Sequence, residues 1–202
     1  MKINIIVAGV GGQGNVTAAY LLGVAALEAG FNVRVADVYG LAQRGGAVVS
    51  HVRIGRVYSP LIGKREADVV VGLEPMEALR NAAKFVKREG VVLTNTYPIY
   101  PIEASVGEFQ YPEIGKLLKA MKKLAKTVVA INAQRLANEA GLPIAANIAM
   151  LGALAALEVL PFTAQHMRSV VEKYIPRFKE ENLKAFNLGF RACGEVLSHR
   201  DR

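Results

Sequence analysis

Runs of consecutive apolar residues alternate along this chain with stretches in which apolar residues recur every three or four positions. An unbroken apolar run bounded by turn residues is typical of a strand that is buried on both faces of a sheet. A period near 3.6 residues indicates a helix instead. Strands are predicted over residues 2–8, 32–38, 47–54, 67–73, 91–95 and 127–132.

Helices are predicted between and after these strands, and several of them have recognisable ends. Gly30 suits the end of the first helix, because glycine readily adopts the left-handed backbone found there. Pro75 suits a first helical turn, and Thr163 suits an N-cap. The predicted helices cover residues 14–29, 75–88, 111–124, 133–140, 143–160, 163–174 and 179–197.

The order of these elements predicts an α/β fold with a Rossmann-like, doubly wound sheet that is parallel or mixed. The first strand, first helix and second strand are expected to form a right-handed β-α-β crossover. A helical C-terminal layer is expected over about residues 133–202. Its helix at 143–160 is apolar on all sides and should be buried. A length of 202 residues fits one domain, residues 1–202.

The composition excludes several classes of site. The single cysteine, Cys193, cannot form a disulfide within the chain or supply the several thiolates of an iron–sulfur cluster. We interpret it as a packed small residue, because no base is recognisable beside it. No apolar run is long enough to predict a membrane span. The start at Met1 lacks the features of a secretory signal, so a cytoplasmic protein is expected.

The net charge of +8 is compatible with a nucleic acid, an acidic cofactor or an acidic partner. The lysines and arginines are spread along the predicted helices, without a dense basic tract or interleaved aromatic residues. Nucleic-acid binding is therefore not expected.

The residue types of catalysis are present but poorly placed. Ser50 and His51 are neighbours on a predicted strand and face opposite sides, so they cannot form a nucleophile–base pair. His166 and His199 have no metal-ligand spacing with anything nearby. Neither a catalytic residue nor a metal site is predicted in this chain.

A glycine-rich loop, Gly9-Val10-Gly11-Gly12-Gln13-Gly14, lies between the first strand and the first helix. Its spacing matches the dinucleotide fingerprint, in which glycines allow a tight turn and let a phosphate approach the start of the helix. Asp37, at the end of the second strand, occupies the place of a ribose-binding acid. A free-standing NAD(P)-binding protein is therefore one interpretation. Glycines that merely close a β–α turn are another.

A second glycine-rich loop, Gly40-Leu41-Ala42-Gln43-Arg44-Gly45-Gly46, leads directly into the third strand. A bent glycine backbone would present the Gln43 amide and the Arg44 guanidinium together, and guanidinium binds phosphate or carboxylate in bidentate fashion. We interpret the loop as a contact to an anionic cofactor or a partner subunit, with an exposed turn and a solvated arginine as the alternative. This loop, and the polar Gln13 at the tip of the first one, argue against a standard dinucleotide site.

These segments together resemble one family, the small (beta) subunits of the indolepyruvate:ferredoxin oxidoreductases, which are gamma-type domains of the 2-oxoacid:ferredoxin oxidoreductases. The resemblance extends over nearly the whole chain, and the Gln43-Arg44-Gly45-Gly46 segment favours the arylpyruvate branch over the pyruvate-type gamma subunits. The segments that carry it are the two loops, Ser50-His51-Val52-Arg53, Tyr58-Ser59-Pro60-Leu61-Ile62, residues 67–80, residues 147–154 and residues 182–189.

The resemblance implies an oxidative decarboxylation of an aryl 2-oxoacid that yields aryl-acetyl-CoA, CO2 and reduced ferredoxin. Thiamine diphosphate and the iron–sulfur clusters would belong to a larger partner subunit, and ferredoxin would be reached through the complex. This chain would hold no cofactor alone and would be inactive alone. A pure interaction module without a ligand site is a further alternative. The residues expected to face the partner or coenzyme A are Gly11, Gly12, Gln13, Gly14, Gln43, Arg44, Gly45 and Gly46.

Overall fold

A mixed sheet of six strands forms the centre of the molecule, which the computed structural model describes over residues 1–40, 46–100 and 110–199. The strands are β1 (Lys2–Val10), β2 (Val33–Tyr39), β3 (Ala47–Gly55), β4 (Ala67–Gly72), β5 (Val86–Asn95) and β6 (Thr127–Ile131). The helices are α1 (Asn15–Glu28), α2 (Pro75–Phe85), α3 (Ile114–Met121), α4 (Ala133–Ala140), α5 (Ala146–Ala156), α6 (Ala164–Tyr174) and α7 (Lys179–Ser198). A 3-10 turn, Pro143–Ala145, precedes α5.

Helices cover both faces of the sheet. On one face, α1 and the C-terminal helices enclose the larger apolar core, which includes Leu22, Met150 and Phe186. On the other face, α2 and α3 enclose a smaller core that includes Phe85 and Met121. The predicted α/β class and the helical C-terminal layer are thereby confirmed.

The strand order is β2-β3-β1-β4-β5-β6, so the sheet is mixed rather than parallel throughout. Neighbours from β1 through β4 and β5 to β6 are parallel, whereas β3 is antiparallel to both β1 and β2. The expected β-α-β crossover is therefore modified, because β3 lies between β1 and β2. The largely buried residues of β3 suit this inner position, and the largely exposed residues of β2 suit the edge.

Helix α3 ends at Met121, earlier than the predicted residue 124. Helices α2 and α5 also end earlier than the sequence pattern predicts. α2 ends at Phe85, because Val86 is buried, has an extended backbone and pairs with β4. α5 ends at Ala156, and Glu158 beyond it has a φ of 54°, the left-handed conformation that closes helices. In both places the apolar pattern continues past the residue at which the backbone geometry changes.

The helix predicted to be buried is confirmed as α5, in which all residues from 147 to 155 are buried. It crosses α7 with the two backbones in contact. A Cβ added at Gly152 would lie 1.9 Å from the carbonyl oxygen of Phe186, and one added at Gly189 would lie 1.8 Å from that of Ala149. Only glycine leaves room for the facing backbone at these two points.

Cys193 lies on α7 and is fully buried in the larger core. Burial raises the pKa of its thiol to about 11. Because the thiolate is the nucleophilic form, roughly one thiol in a thousand is reactive at pH 8. The packed role expected from the sequence agrees with this environment.

We expect iodoacetamide at pH 8 to alkylate the folded chain at least ~100-fold more slowly than the chain unfolded in guanidinium chloride. Cys193 is the only cysteine in the sequence, so intact-mass spectrometry follows this site alone. Similar alkylation rates in the two states would contradict the burial of the thiol.

Candidate functional site

The first glycine loop connects β1 to α1 and requires glycine at two of its turns. Gly12 and Gly14 have φ values of 95° and 79°, which residues with a Cβ rarely adopt. A Cβ at Gly14 would also lie 2.3 Å from Nδ2 of Asn147 on α5. A Cβ at Gly12 would meet no atom of residues 1–40, 46–100 or 110–199 within 4 Å, so this part of the chain leaves the tip of the loop open to an approaching group.

The side chain of Gln13 is bound within the chain. Its Oε1 accepts a hydrogen bond from the N–H of Val10 at 2.9 Å, and its Nε2 donates to the carbonyl of Leu73 at 2.9 Å. Leu73 follows β4, so this amide ties the loop to the end of the neighbouring parallel strand. These two bonds give Gln13 a positioning role in the loop.

Two asparagines that the sequence analysis did not single out complete this support. Nδ2 of Asn147 donates to the carbonyl of Gly14 at 3.2 Å. Nδ2 of Asn95 donates to the carbonyl of Leu73 at 3.1 Å, and its Oδ1 accepts from the N–H of Ala133 at 3.0 Å. Both side chains are buried, and buried amides in an apolar run are the signal that could have indicated them.

The start of α1 carries backbone N–H groups that have no hydrogen-bond partner among the described residues. The positive end of the helix dipole adds to the attraction that such donors exert on a negative charge. The arrangement can bind a phosphate or a carboxylate. These N–H groups belong to Gly12, Gly14, Asn15, Val16 and Thr17.

The structure brings the two glycine loops together where they are described. The N–H of Gly11 donates to the carbonyl of Gly46 at 2.9 Å, and the N–H of Gly40 donates to the carbonyl of Ala47 at 2.8 Å. Gln43, Arg44 and Gly45 fall in residues 41–45 and lie outside the described residues. A cleft of about 430 Å³ lies between the described parts of the two loops, the start of α1 and the end of β2.

Asp37 does not take the place of a ribose-binding acid. Its Oδ1 accepts a hydrogen bond from the Ser50 hydroxyl, at 2.5 Å, across the β2–β3 pair. In the dinucleotide fold the acid comes from the strand next to the first one. Here β3 intervenes, so β2 lies two interstrand spacings, roughly 10 Å, from β1. Asp37 therefore gives no support to the NAD(P)-binding interpretation.

A second crevice, of about 320 Å³, opens on the other side of the first loop at the carboxyl ends of β4 and β5. Apolar side chains are exposed around it, the most exposed being Ile144 at 77%. Tyr97, Ile99 and Tyr100 are also accessible to solvent, and Ile99 lines the crevice. Exposed apolar surface beside a polar loop is typical of a contact with another protein.

Tyr111, which is half-buried, and Glu74, which is buried, form a hydrogen-bonded pair at the end of β4 and the start of α2. The Tyr111 hydroxyl donates to Oε1 of Glu74, whose Oε2 caps α2 by accepting from the N–H of Glu77 at 2.9 Å. Burial raises the pKa of Tyr111, and the hydrogen bond to Glu74 raises it further. The tyrosine therefore stays protonated and serves as a hydrogen-bond donor.

Ser50 and His51 have separate partners, as expected for neighbours on a strand. Ser50 bonds to Asp37, whereas Nδ1 of His51 accepts from the N–H of Ile62 at 3.1 Å. The described residues contain no group of three or more His, Cys, Asp or Glu side chains placed to hold a metal ion. None of the described helices is long and apolar enough to cross a bilayer.

Comparison with known proteins gives a consistent set of relatives. The sequence matches the family model described as pyruvate ferredoxin/flavodoxin oxidoreductase over residues 4–192. It is 40% identical to the indolepyruvate oxidoreductase subunit IorB of Pyrococcus horikoshii over 200 residues, 98% of each chain. It is 33% identical to the common gamma subunit of the pyruvate/ketoisovalerate oxidoreductases of Pyrococcus furiosus over 183 residues, 88% of this chain and 89% of the relative.

A solved structure has the same fold. The gamma subunit of a keto/oxoacid ferredoxin oxidoreductase from Geobacter sulfurreducens superposes with a TM-score of 0.70 at 26% identity. The match covers 96% of this chain and 99% of that chain. The mixed sheet and both helical layers therefore correspond to those of a gamma subunit.

Proposed function

Because the chain belongs to the pyruvate ferredoxin/flavodoxin oxidoreductase family, we propose that it is the small subunit of a cytoplasmic indolepyruvate or other arylpyruvate:ferredoxin oxidoreductase. The observation that carries this proposal is the 40% identity to the indolepyruvate relative over 98% of both chains. The identity to the gamma subunit shared by pyruvate and ketoisovalerate enzymes is lower, at 33%. The aryl 2-oxoacid is therefore the substrate class that we assign to the complex.

This chain has a supporting role in that complex. Its one cysteine is buried in the larger core, so the residues present do not fit an iron–sulfur cluster. We assign the clusters and thiamine diphosphate to a larger partner subunit, and we assign ferredoxin reduction to that subunit as well. The small subunit alone is expected to be inactive.

The start of α1 fits the anionic part of coenzyme A. Its N–H groups, which have no partner among the described residues, and the adjoining cleft of about 430 Å³ together suit a phosphate group at this point. Coenzyme A supplies the thiol that accepts the acyl group when it is bound. Gly11, Gly14 and Gly46 shape the cleft, and Gln13 holds the first loop in place. Arg44, with Gln43 and Gly45, is proposed as an additional anchor for the same anion or for the partner subunit.

The partner subunit is proposed to cover the carboxyl edge of the sheet. The exposed side chains of Ile99 and Ile144 lie there beside the first glycine loop. A partner seated on this edge would bury them and would place its active site next to the coenzyme A cleft. This arrangement favours an accessory subunit over a free-standing protein.

An affinity-tagged copy expressed in its native host should co-purify with a larger chain that contains iron and thiamine diphosphate. The eluate should reduce a viologen dye when both indolepyruvate and coenzyme A are added, and pyruvate should support a lower rate. Elution of a colourless chain alone would contradict the proposal. Binding of NAD or NADP by that isolated chain would then favour the dinucleotide-binding alternative.

A further inference from the structure

A pocket of about 360 Å³, which no described residue of either glycine loop lines, lies on the α2 side of the sheet where β2 forms the edge. This volume falls in the range of roughly 300–1,000 Å³ that small-molecule sites occupy. We call it the His51 pocket, after the residue on its β3 wall. Its apolar walls are formed by Val38, Val49, Leu61 and Phe85.

His51 presents one hydrogen-bond donor to this pocket. Its side chain is buried, with 4% of the residue exposed, and its Nδ1 accepts from the N–H of Ile62. The neutral ring therefore carries its proton on Nε2. None of the described residues accepts a hydrogen bond from Nε2. The ring packs edge-on against Phe85, with 5.2 Å between the centroids.

The position of His51 is held by the chain segment that follows β3. Arg53, two residues further on the same face of β3, donates to the carbonyls of Ser59 and Leu61 at 2.9 Å each. These bonds and the bond from Ile62 to His51 fasten this segment over the strand. The fold therefore holds the walls of the pocket in place, and it fixes the orientation of the His51 ring that carries the Nε2–H donor.

The rim of the pocket is positively charged. Lys64 and Lys84 line it, and Nζ of Lys84 lies 4.7 Å from the centre of the Phe85 ring. Burial, followed by the charges of Lys84 and Arg53, lowers the pKa of His51, so the ring is neutral at pH 7 and remains a single donor. No described carboxylate lines the pocket.

We propose that the His51 pocket binds a small carboxylate with a compact apolar body, about the size of one aromatic ring. The carboxylate accepts the hydrogen bond from Nε2 of His51 and is attracted by Lys64 and Lys84. The apolar body packs against Phe85 and Leu61. The inference does not rest on the proposed activity, because no described residue of either glycine loop lines the pocket.

Phenylacetate is a suitable probe, with phenylacetamide and acetate as matched compounds that remove the charge or the ring. We expect phenylacetate to bind the full chain with a Kd of roughly millimolar order, as suits so few ligand atoms. The backbone amide signals of Ile62, Asn81 and Phe85 should shift in 15N NMR spectra. Phenylacetamide and acetate should each bind at least ~5-fold more weakly.

Lys84→Gln should weaken phenylacetate binding about 3- to 10-fold, because one attractive charge is removed. Lys123→Gln is the matched control, since Lys123 is also exposed and does not line the pocket. The inference is overturned by equal binding of phenylacetate and phenylacetamide, by an unchanged Kd in Lys84→Gln, or by shifts confined to other residues. It is also overturned if the purified complex with the partner subunit excludes phenylacetate, because the pocket would then hold a partner side chain.

Discussion

Replacing Gly152 by alanine should lower the free energy of unfolding by about 3 kcal/mol, because the added Cβ would overlap the carbonyl oxygen of Phe186. Because this oxygen belongs to the backbone of α7, it cannot rotate away as a side chain could, so α5 and α7 must move apart. For a chain of this length such a loss corresponds to a Tm lower by about 6–12 °C. Thermal unfolding followed by circular dichroism measures it.

Gly194→Ala is the matched control, because Gly194 lies on helix α7, as Phe186 does, and a Cβ there would meet no atom of the described residues within 4 Å. Alanine is the better helix former, so this variant should be more stable by roughly 0.5–1 kcal/mol. Gly189→Ala, on the other side of the crossing, should resemble Gly152→Ala. A Tm of Gly152→Ala within about 2 °C of the parent would contradict the close crossing of the two helices.

The helix crossing also supports the candidate site. α5 carries Asn147 at its start, and the side chain of Asn147 donates to the carbonyl of Gly14 in the first glycine loop. A shift of α5 therefore reaches the loop through one hydrogen bond. The C-terminal helical layer therefore helps to shape the proposed coenzyme A cleft, although this layer is distant from the first glycine loop in sequence.

Much of this fold could be predicted from the sequence, because apolar periodicity and turn residues act locally. Gly30 follows α1 with a φ of 83°, and Thr163 caps α6 by accepting from the N–H of His166, as expected. The place of β3 could not be predicted. A buried strand has the same apolar run whichever neighbours it pairs with, so the insertion of β3 between β1 and β2 depends on tertiary contacts.

The backbone conformation of the candidate site could be predicted from the sequence, whereas the hydrogen-bond partners of its side chains could not. Glycine spacing reflects local backbone geometry, and Gly12 and Gly14 have the positive φ values that such a loop needs. The partner of Gln13, the carbonyl of Leu73, is distant in sequence and becomes a neighbour only when β4 lies beside β1. The sequence therefore indicated a polar tip, whereas the structure shows an amide that holds the loop in place.

Gly12→Asp should raise the KM for coenzyme A at least ~10-fold in the assembled enzyme, with little change in kcat at saturating coenzyme A. An added carboxylate at the open tip of the loop would repel the phosphate group proposed to bind at the start of α1. Gly12→Asn is the matched control. Asparagine and aspartate have nearly the same shape and tolerate positive φ better than other residues, so the two variants differ chiefly in charge.

The effect of the charge can be separated from that of the backbone. Gly12→Asn should keep the KM within about 2-fold of the parent, and the excess KM of Gly12→Asp should shrink at 0.5 M NaCl, because salt screens the repulsion. A negative charge near the start of a helix stabilises the helix itself, so Gly12→Asp should unfold no earlier than Gly12→Asn. Equal KM values for the two variants would show that no anion binds at this loop, and the first glycine loop would then serve only the contact with the partner subunit.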